Sequence, residues 1–182
     1  MRRLILGTIG LFFLSIPGFA QEYVYPKAEV FGGLSVARPG TMWGWQSAVH
    51  GNFSHTIGFT ADIGGQYKSI LGVGTSSHQF LFGPRFIVRR EKVTPFVHTL
   101  FGASRAKASI PALSIPGFPT IPGTSVSSTG LAMSFGGGLD VNLSDRFSIR
   151  VAQVDWIPTR FNGGWSTDAV RLGFGIVLKA AE

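Results

Sequence analysis

Residues 135–142 read FGGGLDVN, three glycines followed closely by Asp140, a combination that could cradle a phosphate. Such a cradle works because a helix starts straight after the glycines and aims its free N–H groups at the anion, with a Gly-Lys-Ser/Thr signature closing the loop. The continuation LDVNLSD supplies neither. It alternates instead: Leu131, Met133, Phe135, Gly137, Leu139, Val141 and Leu143 fall on one side, and Ala132, Ser134, Gly136, Gly138, Asp140 and Asn142 on the other. That is the rhythm of a strand, in which glycine permits bending and close packing.

Metal and nucleophile chemistry find little support. His50, His55, His78 and His98 show no HExxH or His-x-His spacing, and the chain contains no cysteine, so no metal and no other cofactor is expected. Hydrogen bonding in an interior or at a rim is the role these histidines suit. A hydrolytic set can be drawn from His98, Ser104 and Glu29, but no GxSxG accompanies it. An enzyme is therefore not expected, although lipid-modifying membrane barrels keep that reading as a third alternative.

The remaining charges are better ordered. Glu29, Asp62, Asp140 and Asp155 face Arg85, Arg89, Arg150 and Arg171, four acids and four bases on the polar sides of alternating segments. In a narrow, poorly hydrated interior such charges must pair. These eight residues form the candidate site, a polar network with no catalytic, cofactor or metal assignment.

Eight segments must position them: 28–37, 42–53, 56–67, 78–90, 94–105, 131–145, 147–157 and 169–179. Each is about the length of a tilted membrane-crossing strand. In 56–67, Ile57, Phe59, Ala61, Ile63 and Tyr67 oppose Thr56, Gly58, Thr60, Asp62, Gly64 and Gln66. Phe31 breaks the pattern in the first segment, and 94–105 is mixed. In 147–157 the alternation jumps between Val151 and Val154; a one-residue bulge near Ala152 restores it and keeps Arg150, Gln153 and Asp155 together. A tight turn at Ser144-Asp145-Arg146 would set Asp140 directly opposite Arg150, within reach of a cross-strand ion pair.

Composition decides which face meets what. Arg2 and Arg3, an apolar run from Leu4 to Ile16, and Gly18 and Ala20 at the cleavage positions make residues 1–20 a secretory signal and 21–182 a single domain. Without Arg2 and Arg3 the chain carries 14 basic and 9 acidic side chains, net +5, with no stripe that would serve nucleic acid. Hydrophobic residues make up 45% and charged residues only 14%, yet no later apolar run approaches the roughly 20 residues of a spanning helix. A water-facing exterior would carry long charged side chains. Here the polar faces are rich in Gly, Ser, Ala and Thr, which suit the crowded lumen of an eight-stranded barrel. The apolar faces carry Phe and Trp, with Trp43, Tyr67, Phe147 and Trp156 near strand ends as in an aromatic girdle. The expectation is an all-β, eight-stranded antiparallel up-and-down transmembrane barrel. Its turns NFSH, REKV and SDR are short, and its other rim carries longer connections, above all a Pro-rich loop at about 106–128.

Several stretches carry a family resemblance: YPKAEVFGGLS, SHQFLFGPRF, TPFVHTLFGASR and FGGGLDVNLSDRFSIRVAQVDW. Over nearly all of the chain after residue 20 they resemble the small outer-membrane β-barrel proteins of Gram-negative bacteria, similar to the transmembrane domain of OmpA. The resemblance implies residence in the outer membrane among lipid and lipopolysaccharide, with periplasmic chaperones and the barrel-assembly machinery as partners during biogenesis. Members usually end in an aromatic residue, whereas this chain ends GIVLKAAE with Phe174 its last aromatic. Two functions follow as expectations: a structural or surface-interaction protein with a side-chain-plugged lumen, in which the 106–128 loop could meet a surface ligand, or a narrow pore for ions or small solutes.

Overall fold

In the computed structural model, residues 25–70, 73–112 and 122–180 are described. The expected signal at 1–20 lies outside them. Ten strands form: β1 (Ala28–Arg38), β2 (Met42–Asn52), β3 (Ile57–Ile70), β4 (Val73–Ile87), β5 (Val93–Ile110), β6 (Thr124–Asn142), β7 (Phe147–Trp156), β8 (Thr159–Phe161), β9 (Gly164–Ser166) and β10 (Val170–Lys179). Eight of them pair antiparallel around a ring, each with its sequence neighbour, except that β7 pairs β10 and β10 returns to β1. The sheet closes, and a closed sheet leaves none of its ring strands with an open edge. β8 and β9 make a small hairpin that leans on β6 at Leu131 and Ala132.

The alternation decides the inside and the outside, and it is inverted relative to a water-soluble domain. Large apolar side chains such as Leu34, Trp43, Phe80, Phe82, Val97, Ile149 and Phe174 are exposed. Glu29, Asp62, Arg85, Asp140, Arg150, Asp155 and Arg171 are buried. The interior is not uniformly polar: Phe31, Ala48 and Val177 form one apolar cluster, and Leu81, Leu100 and Ala132 another. Phe31, the apparent break in the first segment, points inward, and so do Phe96 and Leu100 in the mixed segment.

The turn and bulge geometry matches the alternation. Leu143 N–H donates to the Phe147 carbonyl at 3.0 Å, and Val141 stands opposite Ile149 and Asp140 opposite Arg150. On β7 the register then slips: Asp140 pairs Arg150 but Leu139 pairs Ala152, and Gly175 pairs Arg150 while Gly173 pairs Gln153. One extra residue is absorbed at Val151-Ala152, both exposed, and Gln153 and Asp155 return to the interior.

Three connections differ from expectation. The irregular loop at about 106–128 is shorter, because β5 continues to Ile110 and β6 begins at Thr124, in register from Ala106↔Ser128 to Ile110↔Thr124; residues 113–121 lie outside the described residues. The expected loop after Tyr67 is likewise mostly strand, with Lys68↔Thr75 and Ile70↔Val73 paired. The loop before β10 contains the β8–β9 hairpin. The physical reason is shared. Beyond the apolar belt both faces meet water, so alternation vanishes from the sequence while backbone pairing continues. Because Ala152 is the extra residue, deleting it should leave Gln153 and Asp155 inward and Val154 and Trp156 outward, whereas deleting Val154, in the regular part of the strand, should turn Asp155 outward and Trp156 inward. The expected outcome is that the heat-modifiable band on unboiled gels survives the first deletion and is lost in the second.

Candidate functional site

The site lies inside the ring and is assembled from all eight ring strands. At the end carrying the short turns, β1 supplies Glu29. Its carboxylate accepts from Arg85 Nη1 of β4 at 2.9 Å and from Arg89 Nη1, just past β4, at 2.8 Å. Arg85 also reaches Asp140 of β6 through Nη2 at 3.1 Å. Asp140 is held in turn by Arg150 of β7, whose Nε and Nη2 donate to its two oxygens at 2.7 and 3.0 Å. This is the two-pronged geometry that a guanidinium makes with a carboxylate, and here it spans directly paired strands.

Toward the other end, Arg171 of β10 donates through Nη2 to Asp62 of β3 at 2.9 Å and to Asp155 of β7 at 2.8 Å. Its Nη1 donates to Gln79 Oε1 at 3.2 Å. Gln46 Nε2 donates to the second oxygen of Asp62 at 2.6 Å. Gln153 joins the two halves: its Oε1 accepts from Arg150 Nη1 at 2.7 Å and its Nε2 donates to Asp155 at 2.8 Å. The eight charged residues singled out from the sequence thus stand in one connected set, with Arg85, Arg150 and Arg171 no more than 1% exposed. Four carboxylates meet four guanidiniums, so the set is electrically balanced, the condition under which burying such groups is tolerable.

The glycines of the FGGG stretch belong to this arrangement. Gly136 of β6 stands between His98 of β5 and Asp155 of β7. Strands two apart are separated by about 9–10 Å, too far for neighbouring side chains to join over an intervening one. With no side chain at Gly136, His98 Nε2 and Asp155 Oδ1 meet at 2.8 Å. A Cβ at Gly136 would fall on that same Asp155 oxygen. Gly138 clears room for Phe96 in the same way: a Cβ there would stand 2.8 Å from the ring and 2.6 Å from the Ala152 carbonyl oxygen.

Phe96 is the component that sequence reasoning missed, together with Phe31. The guanidinium carbon of Arg85 lies 4.0 Å from the centre of the Phe96 ring, and that of Arg150 4.4 Å from it. Arg150 also lies 4.2 Å from the Phe31 ring. Two cations that share Asp140 therefore also share one aromatic ring, which offsets their mutual repulsion. The available signal was parity: both phenylalanines occupy the side of their strands that carries Glu29 and His98. The hydrolytic set of His98, Ser104 and Glu29 does not assemble. His98 and Ser104 are six residues apart on one strand, about 20 Å, His98 is bound to Asp155, and Glu29 is bound to arginines. Among the described residues no group of His, Asp and Glu could hold a metal ion.

No protein-family model matches the chain, and no curated protein does. Solved structures do match. Ail, the attachment invasion locus protein of Yersinia pestis, superposes with a TM-score of 0.55 at 17% identity over 85% of this chain and 100% of its own. Neisserial surface protein A superposes with a TM-score of 0.63 at 10% identity, over 84% of this chain and 96% of its own. Ail has also been solved in complex with the heparin analogue sucrose octasulfate; that form matches with a TM-score of 0.52 at 17% identity, over 83% of this chain and 96% of its own.

Two measurements probe the network. In a double-mutant cycle with Asp140→Asn and Arg150→Met, read by urea unfolding in lipid vesicles, each single change should cost about 3–5 kcal/mol because it strands a buried charge. The double variant should cost less than the sum by more than about 1 kcal/mol; additive losses would show that the pair is not coupled. Gly136→Ala should cost about 1–3 kcal/mol as overpacking, whereas the same change at Gly51, where a Cβ meets nothing within 4 Å, should leave the unfolding midpoint nearly unmoved. From its alternation, its closure and these likenesses, the chain has the small eight-stranded β-barrel fold of bacterial outer-membrane proteins.

Proposed function

We propose that this chain is a non-enzymatic bacterial outer-membrane protein with a structural or surface-interaction role, its lumen closed by its own side chains. The observation that carries the reading is the continuous ion-pair set from Arg89 and Glu29 through Arg85, Asp140, Arg150 and Gln153 to Asp155, Arg171 and Asp62. An eight-stranded barrel is only wide enough for side chains to fill it, and here those side chains are tied to one another from wall to wall. The outward belt of Phe, Trp, Ile, Leu and Val supports contact with lipid, since such a surface in water would drive association.

Short turns at one rim and extended hairpins at the other support the usual orientation, with the short turns periplasmic and β5 and β6 projecting outward. In this reading the outer-leaflet lipids, lipopolysaccharide included, are the standing partners, and chaperones and the barrel-assembly machinery act during insertion. The projecting β5–β6 hairpin, with Ile110 and Val126 exposed, is the part placed to meet a surface ligand. That Ail has been captured with a heparin analogue supports surface binding as a task this fold can perform.

Single-channel recording in planar bilayers tests the closed lumen. Purified barrel should give no steady unitary steps. Reproducible steps of fixed amplitude that change on Arg150→Ala would replace this reading with a narrow pore.

A further inference from the structure

The geometry points to a binding site for the phosphate-bearing headgroup of an outer-leaflet glycolipid on the outer wall of β3, β4 and β5. The assignment rests on the outer-membrane reading above and adds to it a place, a chemistry and a set of residues.

Charge at the rim carrying the long hairpins is one-sided. Among the described residues at that end, the charged side chains are Arg38, Lys68, Arg105, Lys107 and Arg160 against Asp168 alone. The opposite rim intersperses Glu91 and Asp145 among its bases. Two of the five cations stand on the wall itself: Arg105 and Lys107 are exposed and share the outward parity of Val97 and Phe101 on β5. Their cross-strand partners on β4 are His78 and Ser76.

Just below them the apolar belt ends in polar tips. Trp45 Nε1 donates to Tyr67 Oη at 3.4 Å, and Tyr67 Oη meets His78 Nε2 at 3.0 Å. Tryptophan and tyrosine arranged this way mark the height at which hydrocarbon gives way to headgroups. Immediately above lies a hollow of about 410 Å³, lined among others by Tyr67, Ser69, Ser76, Lys107 and Ser109. Those five share the outward parity, so the hollow opens sideways, continuous with the belt. Lys68, also on its margin, is committed to the Gly40 carbonyl. Arg105 and Lys107 make no hydrogen bond or ion pair among the described residues.

Hydroxyl donors with an uncommitted ammonium, and a guanidinium one pair below, are the donor set that a phosphate monoester takes through charge-assisted hydrogen bonds. Position selects the source. A soluble anion would be served equally well by cations on top of the barrel, whereas these lie at headgroup height on the side wall, where anionic lipids attract basic side chains.

Native mass spectrometry of the barrel in neutral detergent, titrated with bisphosphorylated lipid A, tests this. Wild type should bind one lipid in preference to its dephosphorylated form. Arg105→Ala and Lys107→Ala should each weaken binding about fivefold, and the double variant about twenty-five-fold. Arg146→Ala, at the far rim, should change nothing. Equal binding of the dephosphorylated lipid, or unaltered binding by the double variant, overturns the assignment. So does inorganic phosphate or a sulfated sugar that binds the same residues as tightly as the lipid. Heat-modifiable migration of each sample is scored separately: its absence in wild type would sink the membrane-barrel reading itself, and its presence assigns any loss of lipid binding to the site.

Discussion

The pairing of β1 with β10 is the constraint on which the rest of the structure depends. With that seam formed, the ring strands bond on both sides along the belt, and the barrel can present apolar side chains outward without leaving polar backbone beside them. Without it, and on the outer-membrane reading, two open edges would stand in an environment that offers no hydrogen-bond partner, each orphaned group costing several kcal/mol. Closure also fixes the radius, and the radius fixes what the interior must be. Eight strands leave room for side chains and little else, so each inward residue is obliged to find a partner among the others.

The interior answers that obligation in two ways. Near Phe31, Ala48 and Val177, and again near Leu81, Leu100 and Ala132, it packs apolar groups as a soluble core would. Between and around these clusters it satisfies charge with charge. The solution depends on omission as much as on contact: His98 and Asp155 join because Gly136 projects nothing between them, and Phe96 lies beside two guanidiniums because Gly138 leaves the ring its place. A stretch that resembles a phosphate loop in isolation is thus the thinnest part of a wall, kept thin so that neighbours can reach across it.

Most of this was legible in the sequence where two different environments flank the chain. Strand identity, the Val151-Ala152 bulge and the facing of Asp140 and Arg150 follow from alternation, because a lipid-like outside and a polar inside sort residues at every step. Beyond Tyr67 and Arg105 that contrast ends. Ser, Thr and Lys occur on both faces there, and a paired hairpin reads like a loop, so the extensions of β3 to β6 were missed. Within the site, composition disclosed which charges face inward. It did not disclose that Asp155 rather than any serine would hold His98, since that depends on which residues stand two strands apart. Nor did it disclose Phe31 and Phe96, whose apolar character places them on the belt by pattern and whose parity places them inside.

An apolar interior would pack the same space at lower desolvation cost, so the ion pairs call for a reason beyond stability. The reason lies in register. In a barrel with apolar residues on both faces, a strand could slip by one residue, exchange its two faces and lose little. With Arg85, Arg150 and Arg171 on the inward parity, the same slip would carry a guanidinium onto the belt. On the outer-membrane reading each such exposure costs about 2–4 kcal/mol near the bilayer centre, and it also strands a carboxylate within. β7 illustrates the point: it carries an extra residue, yet Arg150 before the bulge and Asp155 after it both face inward. The bulge is tolerated because the charges on either side of it admit one register, in which Arg150 meets Asp140 and Asp155 meets Arg171.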